Sequence, residues 1–463
     1  MTTLDYRSFI DGKAIAVPPR GLTSVPSLSS HLFNFQREGV DFGLRAGTWG
    51  CFFDTGLGKT RVELEWLTHA SGASNGRGLL FAPLAVGRQI EREGLALGYQ
   101  VRVVRDAAEV REGVNICNYD RLHLLDPSAF GAVALDEASI LKSFTGATTR
   151  ALIQAFAGHR WKMTATATPA PNDHMEIGQQ GEFLSLMSSH EMLMRWFIAD
   201  QTAMGRYRLK HHAVDAFYDW MASWSRMAEH PRDLGDDIPG FDLPPLNVIR
   251  HFAESDKPIS GADGALFAGL EVSATDIHTI KRQTAEARAR EAAGVVKAHR
   301  REPCLIWCDT DYEADALLAI LPKAKDVRGS HSIERKEDTL AAFADGSLRV
   351  LITKPSICGY GLNWQHCRRM VFVGRSFSYE AWYQAVRRCW RFGQTQPVDV
   401  HLIVAEGEDT IGRVIDRKAA DHRRMKAAMT AAMARAVARS REVIQTYNPT
   451  HAGRIPAWLR SAS

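Results

Sequence analysis

The amino-acid sequence predicts an α/β protein with two parallel-sheet units, a helical insertion and a helical C-terminal tail. Short apolar runs alternate with amphipathic helical segments, which is the pattern of parallel strands joined by crossover helices. The chain has 463 residues, which exceeds one ordinary core and allows about three domains. Its composition of 45% hydrophobic and 24% charged residues is typical of globular proteins and excludes disordered, collagen-like and coiled-coil chains.

The net charge and the cysteine content indicate neither a required charged partner nor a disulfide-bonded fold. The 57 basic and 53 acidic residues give a net charge of +4, which does not require a polyanionic partner. Seven scattered cysteines give no disulfide framework and favour a reducing compartment. Cys304 and Cys308 are interpreted as buried strand residues because no second pair stands at zinc spacing. The charged N-terminus is not a signal peptide and no long uncharged run occurs, so we expect a cytoplasmic protein.

The first half of the chain is divided into a surface segment and an α/β unit. Residues 1–30 are rich in turn formers, and residues 31–174 form the first unit. Its helices are expected to begin near Lys59, Val86 and Thr148. Its strands are expected at 51–53, 78–82, 101–105, 115–117, 133–135 and 162–165.

The second half begins with a different composition. Residues 175–237 carry Met, Trp, Phe and His at helical spacing, which indicates a helical insertion with its own core. Residues 238–273 open with a Pro- and Gly-rich stretch and are interpreted as a linker. Residues 274–406 form the second α/β unit, and residues 407–463 form a basic helical tail. The second unit should contain a helix at 276–300 and strands at 304–308, 350–353, 370–373 and 398–404.

A candidate phosphate loop lies at residues 52–60, FFDTGLGKT, between an apolar run and a helical pattern. Gly56 and Gly58 would let backbone N–H groups surround phosphate oxygens, and the helix start adds its positive dipole end. Lys59 would neutralise the β and γ phosphates, and Thr60 would bind Mg²⁺ through its hydroxyl. Thr55 belongs to the same ATP-binding segment. The strict motif requires glycine at position 53, where Phe53 stands, so a glycine-rich turn that caps a helix is the alternative.

Two adjacent carboxylates, Asp136 and Glu137, follow a second apolar strand. Asp136 would hold Mg²⁺ in its outer shell, and Glu137 would orient and activate the attacking water. The alternative is an acidic helix N-terminus, where carboxylates favour the helix dipole. The phosphate loop about 75 residues earlier favours the catalytic interpretation.

The order and spacing of short motifs from about residue 32 to 405 resemble superfamily 2 helicases of the Swi/Snf-type branch, in the compact form found in phages and bacteria. The trailing Arg-x-Gly-Gln at 391–394 favours this branch over RNA helicases. The matching segments are LFNFQREGV at 32–40, GLGKT at 56–60 (motif I), LFAPL at 80–84 (motif Ia), NYD at 118–120 (motif Ib), DEAS at 136–139 (motif II), TATPAPN at 166–172 (motif III), LIWC at 305–308 (motif IV), GYGLN at 359–363 (motif V) and QAVRRCWRFGQ at 384–394 (motif VI).

The resemblance implies two RecA-like lobes with a P-loop NTPase fold and a DEAD/DEAH box, which bind ATP and Mg²⁺ between them. Gln36 would read adenine, and Gly361 would contribute to the nucleotide site. From the second lobe, Arg388 and Arg391 would reach the γ-phosphate and Gln384 would link the nucleotide to motif III.

The same resemblance implies a DNA-stimulated ATPase that translocates on duplex DNA without wide strand separation. DNA would be bound mainly through its phosphate backbone, and a protein partner could supply specificity. The site of action would be the cytoplasm of a bacterium or of a phage-infected host cell. Two alternatives stay open: a strand-separating helicase in replication, recombination or repair, and an ATP-switched nucleic-acid-binding subunit of a larger complex.

Three departures from the family pattern stand out. Ser139 replaces the histidine of the DEAH form, Lys354-Pro355 replaces Ser-Thr, and Arg387 replaces a small residue beside Arg388. Weak candidates for nucleic-acid contact are Lys142, Asn172, Arg208 and Lys210. The basic tail either contacts DNA or packs on the second lobe with solvated charges, and we favour packing; the residues concerned are Arg417, Lys418, Arg423, Arg424 and Lys426.

Overall fold

A computed structural model of the chain describes residues 16–83, 86–142, 146–199, 207–254, 274–358, 363–374, 376, 378–405 and 409–446. In this part of the chain, the strands form two parallel sheets and one short antiparallel pair. The strands are β1 (Thr48–Phe53), β2 (Arg77–Phe81), β3 (Val101–Val103), β4 (Gly113–Cys117), β5 (Ala132–Asp136), β6 (Trp161–Ala165), β7 (Phe197–Ala199), β8 (Tyr207–Leu209), β9 (Ser225–Ala228), β10 (Leu246–Ala253), β11 (Cys304–Trp307), β12 (Lys325–Val327), β13 (Val350–Thr353), β14 (Arg369–Phe372) and β15 (Val398–Ala405).

Helices connect these strands in both halves. In the first half, the α-helices are Asn34–Ala46, Lys59–Gly72, Gly87–Ala96, Ala147–Ala155, Ile177–Phe183, Ser189–Trp196 and Val214–Trp224. In the second half, they are Ala274–Gln283, Ala285–Ala298, Asp311–Ile320, Ile333–Ala344, Pro355–Cys358, Tyr379–Val386 and Asp409–Thr446. Three are used below under names: the phosphate-loop helix (Lys59–Gly72), the motif VI helix (Tyr379–Val386) and the C-terminal helix (Asp409–Thr446).

The first sheet has the strand order β3-β4-β2-β5-β6-β1-β9. All six residues of β1 are buried, because helices cover both faces of a parallel sheet and its strands are apolar throughout. Ala165 of β6 is in register with both Cys51 of β1 and Asp136 of β5. The carboxyl ends of β1 and β5 therefore lie at the same sheet edge, where ligands bind in open α/β sheets.

The second sheet has the order β10-β15-β14-β11-β13-β12, and all its pairings are parallel. The predicted fold class, two parallel-sheet α/β lobes with additional helices, is confirmed. The strand at β11 is buried along its length, and Cys304 and Cys308 are buried free thiols as predicted.

Five strands occur where the sequence predicted none: β7, β8 and β9 in the predicted helical insertion, β10 in the predicted linker, and β12 in the second unit. β9 lies within the predicted helical insertion and pairs in parallel with β1, so this segment extends the first sheet. β10 lies within the predicted linker and pairs with β15 along all eight of its residues. The pattern of β10 was uninformative because most of its side chains are exposed, including Val248 and Phe252. Parallel pairing of the main chain, rather than an apolar face, holds this strand in place.

The C-terminal helix packs mainly on the first lobe, so the predicted packing on the second lobe is wrong. Met425, Met429 and Met433 are buried in the same cluster as Trp224 and Met227 of the first lobe. Methionine at a spacing of three to four residues places these side chains on one helix face. No helix among the described residues is long and apolar enough to cross a membrane.

Candidate nucleotide-binding site

The loop between β1 and the phosphate-loop helix has backbone geometry that requires its glycines. Gly56 has φ +94° and Gly58 has φ +74°, values that side-chain-bearing residues rarely adopt. A Cβ on Gly58 would lie 2.5 Å from Nε2 of Gln36. The loop therefore combines left-handed backbone with close approach of a neighbouring side chain, and both explain the glycines of GLGKT.

Gln36 and Lys59 both hydrogen-bond to this loop. The Gln36 amide donates to Leu57 O at 2.8 Å and accepts from Phe33 N at 3.1 Å. Lys59 Nζ donates to Phe53 O at 3.1 Å. Thr55 and Thr60 are half-buried on either side of the loop glycines. The predicted nucleotide-binding residues of the first lobe thus lie together, with the Gln36 amide engaged by the protein main chain.

Asp136 and Glu137 stand at the end of β5, beside the phosphate loop. Tyr119 Oη donates to Asp136 O at 2.6 Å and holds the strand end. Glu137 has φ +53°, in the left-handed region, which costs a residue with a side chain roughly 1–2 kcal/mol. Backbone strain of this kind clusters at functional sites, where surrounding structure maintains it.

A third carboxylate, Glu63, lies in the same cluster and was missed by the sequence analysis. Its side chain is fully buried one helical turn after Lys59 and faces the carboxyl group of Asp136. Burial and the charge of Asp136 raise the pKa of Glu63 well above its ordinary value. Burial likewise raises the pKa of Asp136, and it raises the pKa of Glu137 to about 7, against the opposing charge of Lys59. The i, i+4 spacing from Lys59 was the signal that could have identified Glu63.

This excess of buried negative charge fits a hard divalent cation. Mg²⁺ takes oxygen ligands and keeps several waters, and proteins usually hold it with one or two carboxylates together with substrate phosphates. The described residues contain no group of three or more His, Cys, Asp or Glu side chains arranged to hold a metal by themselves. The Thr60 hydroxyl and the Asp136 carboxylate are the residues that would hold Mg²⁺ here.

The motif VI helix brings side chains of the second lobe to these carboxylates. Gln384 Nε2 lies 3.3 Å from Glu137 Oε2 and 3.4 Å from Glu380 Oε1. Glu380 in turn forms an ion pair with Lys142 of the first lobe at 2.8 Å. Arg388 is 3% exposed, and its charge acts to lower the pKa values of Asp136 and Glu137. The two lobes therefore meet at Glu137.

Arg391 lies close to the phosphate loop and bonds to motif V. A Cβ on Gly56 would lie 3.9 Å from Arg391 Cβ and 3.4 Å from Phe392 N. The guanidinium of Arg391 donates to the Asn363 side chain. Burial, and then the charges of Arg388 and Arg387, lower the pKa of Arg391 to about 10. Gly361, predicted from the same motif V segment, lies outside the described residues.

A second group of charged residues surrounds Asp54, the first residue of the loop, and it also escaped the sequence analysis. Arg387 Nη2 lies 3.2 Å from Asp54 Oδ2 and donates to Thr55 O at 2.6 Å. Tyr383 Oη lies 2.6 Å from each carboxylate oxygen of Asp54. Lys426 of the C-terminal helix approaches Asp54 Oδ2 at 3.5 Å. The departure of Arg387 from the family pattern was a usable signal, whereas nothing in the sequence pointed to Lys426.

This second group borders a cavity between the two lobes. A cavity of about 740 Å³ extends from Asp54 and Gly56 past Phe241 and Trp382 to Lys426. A smaller cavity of about 200 Å³ is lined by Lys142, Glu380 and Gln384, on the other side of the motif VI helix. Each cavity borders both lobes, so the cleft between the lobes continues on both sides of the motif VI helix.

Most of the weak candidates for nucleic-acid contact are bonded within the chain. Lys142 pairs with Glu380, and Lys210 Nζ donates to two main-chain carbonyls at 3.0 Å. Asn172 bonds to Glu176 and accepts from Lys418 at 2.7 Å. The candidates with exposed side chains are Arg208, Arg417, Arg423 and Arg424.

Comparison with known proteins supports the motif assignments of the second lobe. Residues 287–393 match the helicase conserved C-terminal domain. The chain is 25% identical over 477 residues to putative protein p41 of Acyrthosiphon pisum secondary endosymbiont phage 1, covering 88% of this chain and 97% of that protein. A solved structure of the Sulfolobus solfataricus SWI2/SNF2 ATPase core in complex with dsDNA is similar with 15% identity and a TM-score of 0.42, over 89% of this chain and 96% of that chain. The matched domain contains Gln384, Arg388 and Arg391, which agrees with the predicted helicase motifs of the second lobe.

Proposed function

We propose that the protein is a DNA-stimulated ATPase of the Swi/Snf type that moves along duplex DNA by hydrolysing ATP between its two lobes. The observation that carries this proposal is the meeting of Gln384 and Arg388 with Glu137. A helicase motor requires catalytic groups from both lobes at one nucleotide, and this arrangement supports that requirement. The order of the remaining motifs supports the same activity.

On this proposal, the triphosphate lies on the phosphate loop. Backbone N–H groups of the loop and the start of the phosphate-loop helix surround its oxygens. Lys59 neutralises the β and γ phosphates after it leaves Phe53 O. Mg²⁺, when bound through Thr60 and Asp136, would supply further neutralisation of phosphate charge.

Glu137 would orient the attacking water and accept its proton. A pKa of about 7 suits a general base, because the optimal catalytic pKa lies near the operating pH. The amide of Gln384, 3.3 Å from this carboxylate, would position the base and the water. Because Gln384 belongs to the second lobe, this contact exists only while the lobes are closed.

Arg388 and Arg391 would stabilise the negative charge that develops on the transferred phosphoryl group. Arginine suits this role because its charge is permanent and its donors are forked. Both arginines follow the motif VI helix, so lobe closure brings them to the phosphate and phosphate release would let them withdraw. This dependence on closure couples hydrolysis to movement.

DNA would be held mainly by phosphate contacts, which are independent of sequence. Arg417, Arg423 and Arg424 supply exposed positive charge on the C-terminal helix. Duplex DNA is favoured over RNA because Arg391–Gln394 follow the Swi/Snf-type pattern. We place this activity in the cytoplasm of a bacterium or of a phage-infected cell.

ATPase rates measured side by side with duplex DNA, single-stranded DNA and RNA test the proposal. Duplex DNA should stimulate turnover most, and Lys59→Ala should abolish the stimulated rate while circular dichroism stays unchanged. Equal turnover with and without DNA, or undiminished turnover of Lys59→Ala, would contradict it.

Displacement assays separate the proposal from its two alternatives. Release of a third strand from a triplex, without unwinding of a forked duplex, is the result expected of a duplex translocase. Unwinding of the fork would favour a strand-separating helicase. If neither occurs and ATP changes only DNA affinity, the protein acts as a nucleotide-switched binding subunit.

A further inference from the structure

The charged group around Asp54 joins three separate parts of the fold. Asp54 begins the phosphate loop of the first lobe, Arg387 directly follows the motif VI helix of the second lobe, and Lys426 lies on the C-terminal helix. Lys426 Nζ also pairs with Glu229 at 2.6 Å, next to the end of β9. Two carboxylates and two cations therefore balance at one point where both lobes and the C-terminal helix meet.

The group is buried, which makes its pairing energetically demanding. Asp54, Arg387 and Lys426 are each 5% exposed or less. Removing one partner from a buried pair is strongly destabilising, because the remaining charge is left without compensation in a medium of low polarity. The position of Asp54 therefore depends on the positions of both cations.

Asp54 is coupled directly to the part of the loop that would bind phosphate. Its Oδ1 accepts from Thr55 N at 2.6 Å, and the Thr55 carbonyl accepts from Arg387. Gly56 follows at once, with its left-handed backbone. A displacement of Asp54 would therefore shift the loop at the residues adjoining the glycines.

The C-terminal helix is well placed to hold Lys426 rigidly. Met425 and Met429, on either side of Lys426, are buried in the core of the first lobe, and Arg435 pairs with Asp219 at 2.7 Å. An earlier part of the helix contacts the second lobe, where Ile415 packs against Tyr379 of the motif VI helix. One helix thus spans both sides of the cleft.

We propose that Lys426 is a positioning residue for the phosphate loop, through which the C-terminal helix holds the two lobes together at Asp54. Lys426 does not touch the phosphates; it acts by fixing Asp54 between the lobes, together with Arg387 and Tyr383. The arrangement of the loop therefore depends on a helix about 370 residues away in sequence. This inference rests on the proposed function only where nucleotide turnover is the readout.

We call the contact of Lys426 and Arg387 with Asp54 the clamp. Hydrogen exchange of the full-length, nucleotide-free protein tests the clamp independently of catalysis. Lys426→Met should increase exchange in peptides that cover the phosphate loop and the motif VI helix, and Lys426→Arg should restore protection because it keeps the charge. Lys297→Met changes an exposed lysine on the helix Ala285–Ala298 and serves as the matched control without effect. Exchange in Lys426→Met equal to that in the control would overturn the proposal.

Nucleotide binding gives the second readout. Lys426→Met should weaken binding of a fluorescent ADP analogue at least about fivefold, a typical coupling between linked sites. A double-mutant cycle with Asp54→Asn should be non-additive, because both substitutions remove the same contact. Additive effects of the two substitutions would show that Lys426 acts elsewhere. If Lys426→Met fails to fold, Lys426→Gln keeps a polar group of similar length and is expected to give the same results.

Turnover distinguishes failure of the clamp from failure of the proposed function. In the clamp model, Lys426→Met raises KM for ATP more than it lowers kcat, because the loop is misplaced but the catalytic groups are intact. A wild-type protein that hydrolyses no ATP with any nucleic acid would refute the proposed function and leave the exchange result valid. A fall in kcat alone, with KM unchanged, would contradict the positioning role.

Discussion

Two buried clusters of charge flank the phosphate loop and behave in opposite ways. In the clamp cluster, the buried Asp54 and the exposed Glu229 are balanced by Arg387 and Lys426, which are both buried. Burial raises the pKa of Asp54, but the charges of Arg387 and Lys426 outweigh this and hold the pKa well below its ordinary value. The cluster is therefore ionised and paired in the folded protein at neutral pH.

The second cluster, which we call the catalytic cluster because of its proposed role, has an excess of negative charge. Glu63, Asp136 and Glu137 gather near Lys59 and Arg388, and burial raises the pKa of all three carboxyls. The comparison teaches that the clamp cluster is stabilised by ion pairs within the protein. The carboxyl groups of the catalytic cluster lack such balance, which favours binding of a cation or a proton from outside.

The largest expected effect concerns the arginine that enters the catalytic cluster from the second lobe. Arg388→Ala should lower kcat of the DNA-stimulated ATPase by about 10³- to 10⁵-fold, because the charge on the transferred phosphoryl group loses a stabilising guanidinium. Steady-state kinetics at saturating ATP measures this loss. Arg300→Ala, at an exposed position of the second lobe, is the matched control. A fall in kcat of less than tenfold would show that Arg388 does not stabilise the transition state.

The next effect concerns the base itself. Glu137→Gln should lower kcat by about 10²- to 10⁴-fold, since the amide cannot accept the proton of the attacking water. ATP binding, measured by equilibrium titration, should stay within a few-fold of wild type. If turnover survived with ATP binding intact, another carboxylate would have to be the base, and Glu63 would be the first to examine.

The clamp cluster should show its importance in stability rather than turnover. Asp54→Asn should lower the free energy of unfolding by about 3 kcal/mol, because Arg387 and Lys426 are left with too little negative charge in a buried site. Urea unfolding at pH 7 measures the difference. An unchanged midpoint would mean that the cations find other partners and that the cluster is not a clamp.

The same residue predicts a pH dependence with a defined sign. The folded pKa of Asp54 is depressed, so its stabilising contribution is complete above the unfolded pKa of about 3.9 and is lost as pH falls from there toward the folded pKa. Wild type and Asp54→Asn should therefore converge in stability as unfolding is measured at successively lower pH from 5 downward. A difference that stays constant over this range would contradict the assignment.

The smallest expected effect is a change in the free energy of unfolding, and its sign should differ between the two clusters. Glu63→Gln should raise the free energy of unfolding by about 1 kcal/mol at pH 8, because it removes a carboxyl group whose ionisation is opposed by burial and by Asp136. The equivalent change in the clamp, Glu229→Gln, should lower stability because Lys426 loses its closer partner. Denaturant unfolding of both variants in chelator tests the pair, and equal signs would contradict the comparison.

Much of the fold was predictable because parallel strands buried on both faces have continuous apolar sequences. β1 and β5 were anticipated for this reason, and the loop glycines because their backbone admits few other residues. β10 was not anticipated because its side chains are mostly exposed and main-chain pairing alone defines it. β9 was hidden among helical residues whose composition is dominated by the insertion core.

Local sequence thus determined the chemistry of the site: which residues could surround a phosphate, hold a cation or supply an arginine, since each role depends on residue type and on spacing within a few positions. Tertiary structure alone decided that Arg387 and Lys426 share Asp54, and that Glu63 faces Asp136. Those pairings join segments up to 372 residues apart. No short pattern encodes them, because a buried charge is satisfied by whichever partner the folded chain brings within reach.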